Sequence, residues 1–113
     1  HAQTVRAVLG CACFVFLREQ NRRNNAGFPT KFTEAFTCGG SVITTNVSDV
    51  SLYADARTVI LPDLSAAGLL DALRRGMRLS SQSPARAPRD TFDYRQFTDA
   101  TRRWLERIPC KER

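Results

Sequence analysis

The residues with most chemistry to offer are four cysteines: Cys11 and Cys13 as a close pair, Cys38, and Cys110 near the C-terminus. Thiols so placed can form disulfides, hold a metal or act as nucleophiles. Structural zinc sites usually draw on two closely spaced ligand pairs, and only one pair is close here. Disulfides are the expected use. Four cysteines in a chain of 113 residues make two bonds, with three connectivities open. A Cys11–Cys13 bond would close too short a loop to constrain the unfolded chain much. Long-range pairs with Cys38 and Cys110 are the better staples, worth roughly 3 to 5 kcal/mol each if loop entropy dominates.

Acid–base chemistry is poorly supplied. His1 is the single histidine, and histidine is the commonest general acid or base in hydrolytic mechanisms. A copper site at His1 would need a second histidine. The segment Phe36-Thr37-Cys38-Gly39-Gly40-Ser41-Val42-Ile43 is similar to the one preceding the catalytic histidine of trypsin-like proteases, yet no histidine follows it. Asp90 and Asp93 are close in sequence, like a candidate acid pair of a glycosidase, but beside Arg89 and Arg95 they read as helix caps or ion-pair partners. No catalytic set, cofactor or metal is expected.

Charge gives the next constraint. The chain carries a net +6, and beyond residue 63 it has 11 basic against 6 acidic residues. Fifteen of its 17 basic residues are arginine, whose planar fork suits bidentate contact with phosphate or carboxylate. Arg74, Arg75, Arg78, Arg86, Arg89, Arg102 and Arg103 are therefore candidate anion- or partner-binding residues, although a solvated basic face accounts for the same pattern. RNA is one such polyanion, with Phe28, Phe32, Tyr53, Tyr94 or Trp104 as stacking surfaces. Aromatics at helical or strand spacing more often fill a core, and Trp104 is expected to pack against the N-terminal element.

Asn46-Val47-Ser48 is a glycosylation sequon with Asn46 as acceptor. With two disulfides it points to an exported, extracellular protein or one delivered into a host. No segment reaches the roughly 18 to 20 apolar residues of a membrane span, so a mature soluble form is expected.

These residues must be held by elements that the pattern only partly resolves. Residues 4 to 18 are apolar under both a helical and a strand period; their length and alanines favour a buried helix. Arg22 to Gly27 is a polar turn region, with Pro29 after it. Phe32 to Ile43 and Val50 to Leu61 have the β-branched and aromatic content of strands, and Asn46 to Asp49 between them suggests a hairpin or meander. Asp63 or Ser65 can cap a helix whose stripe is Ala66, Leu69, Leu70, Leu73 and Met77. Ser80 to Arg89 reads as an exposed basic loop, and Thr98 to Ile108 as a final helix that Pro109 ends.

Thr4-Val5-Arg6-Ala7, Cys13, the Phe14 to Phe16 aromatics and Gly27-Phe28-Pro29-Thr30-Lys31-Phe32 together resemble the helix and following strand of small secreted fungal guanyl-specific ribonucleases. The resemblance covers residues 4 to about 36. It implies a disulfide between Cys13 and Cys110, which would leave Cys11 and Cys38 to secure the glycine turn. Thr30 stands where the active enzymes carry a catalytic histidine, so the resemblance implies a ribonuclease-like effector without acid–base chemistry.

The fold expected is α+β: a small single domain over residues 1–113, with two to three helices on an antiparallel sheet and two disulfides. The function expected is non-catalytic interaction with a host or receptor protein, with RNA binding through the basic C-terminal half as the alternative.

Overall fold

Ser41-Val42-Ile43-Thr44-Thr45 contains no charge, and all its positions are buried. Such a run belongs inside a parallel sheet covered on both faces. In the computed structural model, which describes residues 2–82 and 89–108, it forms β2 (Ser41–Thr45), the central strand of three. β1 (Cys13–Phe16) and β3 (Thr58–Leu61) flank it, both parallel to it. Phe14 sits opposite Val42 and Phe16 opposite Thr44, while Ile43 faces Val59 and Thr45 faces Leu61.

The mixed helix and strand content agrees with expectation, but the described residues hold six α-helices rather than two to three, counting the single turn α2 (Arg22–Asn25), and the sheet is parallel, not antiparallel. The connection between β2 and β3, residues 46–57, holds the short helix α4 (Val50–Tyr53). A link of about a dozen residues is long enough for a crossover, so β3 enters from the same end as β2 and no hairpin forms. Phe32 to Thr37, expected as strand, lies in a helix instead. Residues 4 to 18, expected as one helix, divide into α1 (Ala2–Gly10) and β1.

Alternation along the strands gives the sheet two dry faces. On one, Phe16 and Val42 join Val8 of α1, Val47, Val50, and Phe32, Ala35 and Phe36 of α3 (Thr30–Thr37). Phe28, Phe32, Phe36, Tyr53 and Phe92 form a ring cluster there, with neighbouring centroids 5.0–6.4 Å apart. On the other face, Ile43, Val59 and Leu61 meet Ala72, Leu69, Leu73 and Leu79 of α5 (Ala66–Gln82). α5 crosses the sheet so closely that a Cβ on Gly76 would stand 2.8 Å from Ile43 Cδ1 and 2.9 Å from Cys13 Sγ. Between α3 and β2, Gly39 takes φ 74° and its N–H donates to the Phe36 carbonyl, the left-handed helix stop that glycine makes cheaply.

The expected helix after Ser65 is present and runs on to Gln82. The Ser65 hydroxyl accepts from the Gly68 N–H at 3.1 Å, so Ser65 is the cap, while Asp63 accepts from the Ser65 N–H at 2.7 Å. Ser80 to Gln82 therefore belong to α5, and Arg86 lies outside the described residues. A 3₁₀ turn at Tyr94–Phe97 leads into α6 (Thr98–Glu106). α6 lies chiefly against that turn, and Trp104 is 62% exposed rather than packed on the N-terminal element. The radius of gyration is 17.1 Å, against about 13 Å for a compact chain of this length.

No disulfide forms among the described residues, where Cys11, Cys13 and Cys38 are free thiols; Cys110 lies outside them. Geometry excludes one pairing. Cys13 packs with the α5-side cluster and Cys38 with the α3-side cluster, so the sheet stands between them. The Cys11 thiol turns back to the Ala7 carbonyl at 3.0 Å. Burial pushes the Cys13 thiol pKa up, and the neighbouring Cys11 adds to the rise.

Candidate functional site

Parallel strands all deliver their following loops to one edge of the sheet; in open α/β sheets ligands bind at that edge where the strand order reverses, and the sequential order β1-β2-β3 has no reversal. That edge carries a cavity of about 240 Å³ here, lined by Arg18, Glu19 and Gln20 after β1, Thr45 and Asn46 at the end of β2, and Leu61 to Leu64 at the end of β3. All three strands contribute to it. The lining combines one guanidinium, two carboxylates and two amides over an apolar floor of Leu61 and Pro62.

The walls are held by bonds between the loops. The Thr45 hydroxyl accepts from the Arg18 N–H at 2.9 Å and donates to the Arg18 carbonyl at 2.7 Å, so a buried β2 side chain fixes the backbone leaving β1. Gln20 Nε2 donates to the Asn46 carbonyl. Asn25 Oδ1 accepts from the Ser48 N–H at 3.0 Å, and Ser48 has a φ of 52°, uncommon for a residue with a side chain. The Arg18 guanidinium lies 5.0 Å from the Phe16 ring centroid, which orients it without neutralising it. Hydrogen bonds from the Ser65 hydroxyl and N–H hold the Asp63 carboxyl below its usual pKa, so it is ionised at neutral pH.

The arginines expected to bind anions do not converge. Arg74, Arg75 and Arg78 are exposed on α5, where Arg75 lies 3.9 Å from Asp71 and Arg78 Nε donates to the Arg74 carbonyl. Arg102 and Arg103 are exposed on α6, the former 3.8 Å from Asp99. Arg89 serves the fold. It pairs with Asp55 at 2.7 Å, donates to the Phe36 carbonyl at 2.7 Å and lies 4.3 Å from the Phe36 ring centroid. Burial lowers its pKa and Asp55 opposes that; its second terminal nitrogen, Nη2, is buried without a hydrogen-bond partner among the described residues. Asp93 pairs with Arg95 at 2.6 Å, as the spacing suggested, and caps the 3₁₀ turn through the Arg95 N–H.

Thr30 opens α3 on the exposed surface. Of the proposed stacking aromatics, Phe28, Phe32 and Tyr53 belong to the ring cluster, while Tyr94 and Trp104 are exposed. Asn46, the sequon asparagine, is exposed within the cavity lining. Sequence reasoning did not single out Arg18, Gln20 or Thr45. Their only signal is a position just after or at the end of a strand, and that acquires meaning once the strands are known to be parallel.

No helix among the described residues is long and apolar enough to cross a membrane, and no group of three or more candidate metal ligands occurs among them. The chain matches no family model, no curated protein and no solved structure.

Proposed function

We propose that this chain is a ligand-binding α/β module whose site is the carboxyl-edge cavity. The observation that supports it most is that one cavity at the carboxyl edge of the sheet is lined by the last residues of β2 and β3 and by the segment that follows β1. Its size suits a small molecule. Arg18 matches one anionic group, and Glu19, Gln20 and Asp63 match hydroxyls, because carboxylates and amides accept from and bridge such groups. The class that fits is a compact polyhydroxylated molecule with a single anionic substituent. Ribose 5-phosphate is a suitable probe, with ribose and inorganic phosphate as its two halves. Calorimetry should show the whole probe binding more tightly than either half. Arg18→Ala should remove the difference between ribose 5-phosphate and ribose, at a cost of roughly 1.5 to 3 kcal/mol for a hydrogen bond to a charged group. Equal affinity of wild type and variant would overturn the reading.

The interaction role expected from the sequence is carried by a different part of the molecule. Phe97, Trp104, Leu105 and Ile108 are 45–62% exposed on or beside α6, and Arg102, Arg103 and Arg107 are exposed around them. The partner this surface fits is a host or receptor protein with an apolar groove rimmed by carboxylates, taking α6 as a helix in its groove. An RNA partner would instead show a steep loss of affinity with salt. Affinity measured at two salt concentrations separates them: an apolar groove holds α6 with a shallow salt dependence, whereas RNA loses affinity steeply. Export and the ribonuclease-like reading belong to the interaction reading; a glycan on Asn46, which lines the cavity, would exclude the small-molecule site. A Cys13–Cys110 bond in a disulfide map would support the ribonuclease-like reading.

A further inference from the structure

The two edges of the sheet are built differently. β3 is bracketed by Arg57 and Pro62, charge and proline being common devices for closing an edge strand to further pairing. β1 lies in the uninterrupted apolar run Ala12-Cys13-Phe14-Val15-Phe16-Leu17, although it too is an edge strand. Both of its faces are apolar: Phe14 and Phe16 face the α3 side, Cys13 and Leu17 the α5 side. That composition belongs to a strand inside a sheet. Val15, on the side α5 leaves uncovered, is 42% exposed, and Leu9 of α1 is 48% exposed.

We infer that the free edge of β1 pairs with β1 of a second copy of the chain, in antiparallel register about Val15, to give a continuous six-stranded sheet. A two-fold axis normal to the sheet keeps the faces of the copies aligned, and the strand is self-complementary under it. Val15 meets Val15 of the second copy. Phe14 lies opposite Phe16 of the second copy on the α3 face, an aromatic cross-strand pair that recurs on the other side of the axis. Cys13 lies opposite Leu17 of the second copy. Arg18 falls outside the pair opposite Ala12 of the second copy, so no like charges face each other. Any other strand could satisfy the backbone of β1, but the chain itself supplies one that matches side chain for side chain.

The test is sedimentation velocity of the whole chain from micromolar to submillimolar concentration, combined with hydrogen exchange. Wild type should show a monomer–dimer equilibrium, and amide protection in residues 13–16 should rise with concentration. Val15→Lys should remain monomeric with an unchanged far-ultraviolet dichroism spectrum. Leu52→Lys, at a 78% exposed site on α4, should dimerise like wild type. A wild-type monomer throughout, or β1 protection independent of concentration, overturns the inference. So does association abolished by Trp104→Ala and retained by Val15→Lys, which would place the interface on α6. The exchange measurement needs no variant and decides the matter even if Val15→Lys misfolds.

Discussion

α5 and α6 are both amphipathic helices with arginine on the outer face, and they end in different situations. α5 lays its stripe across the sheet and buries Ala72 and Gly76, so closely that even one methyl at Gly76 would collide with Ile43. α6 carries a comparable stripe and buries none of its residues. Amphipathicity specifies that a helix has a face to cover without saying what covers it. For α5 the answer is one face of the parallel sheet, built by β2 and β3 with Cys13 of β1 beside Gly76. For α6 it lies outside the described fold.

Substitutions that treat the packed core and α6 alike in chemistry should therefore differ widely in effect. Phe32→Ala removes a fully buried ring from the α3-side cluster and should cost about 3 to 5 kcal/mol in denaturant unfolding. Trp104→Ala, a larger truncation, should change stability by no more than about 0.5 kcal/mol, as expected of an exposed site. A comparable loss at Trp104 would break the comparison.

Gly76→Ala should destabilise by about 1 to 3 kcal/mol through overpacking, despite alanine's better helix propensity. A stabilised variant would mean that α5 does not lie as close to β1 and β2 as described. Ser65→Ala removes the cap of α5 and should cost about 1 kcal/mol. The smallest effect is at Asp63. Its folded-state pKa lies below the unfolded value, so its contribution is present above the unfolded pKa and is lost as pH falls through the folded one. Asp63→Asn should lower stability slightly at neutral and alkaline pH, where the ionised carboxylate contributes, and converge with wild type at the acid end.

What the sequence made legible was local. The α5 helix, its serine cap, the glycine turn before β2 and the ion pair of Asp93 with Arg95 follow from spacings of a few residues, and the structure contains them. Of the expected α5 stripe only Leu69 and Leu73 face the core, beside Ala72 and Gly76, whereas Ala66, Leu70 and Met77 are exposed. Strand direction was not legible, because β-branched content in Val50 to Leu61 is the same whether the chain turns back after Asp49 or crosses over. That ambiguity propagated. Once an antiparallel meander was assumed, Arg18, Thr45 and Asp63 had no reason to meet, and only parallel strands bring the ends of all three to one cavity. The cysteines show the same limit, since parity permits pairing while only the sheet between Cys13 and Cys38 forbids that pair. Arg89 looked like a free cation in a basic loop, and Asp55, its partner, is 34 residues upstream.

The carboxyl-edge cavity is the central claim, and amide chemical-shift mapping during titration with ribose 5-phosphate tests it most directly. The account predicts saturable shifts confined to residues 18–20, 45–46 and 61–65, with α6 unaffected and the response weakened in Arg18→Ala. Shifts centred on residues 94–108, or no saturable shift at the strand ends, would contradict it.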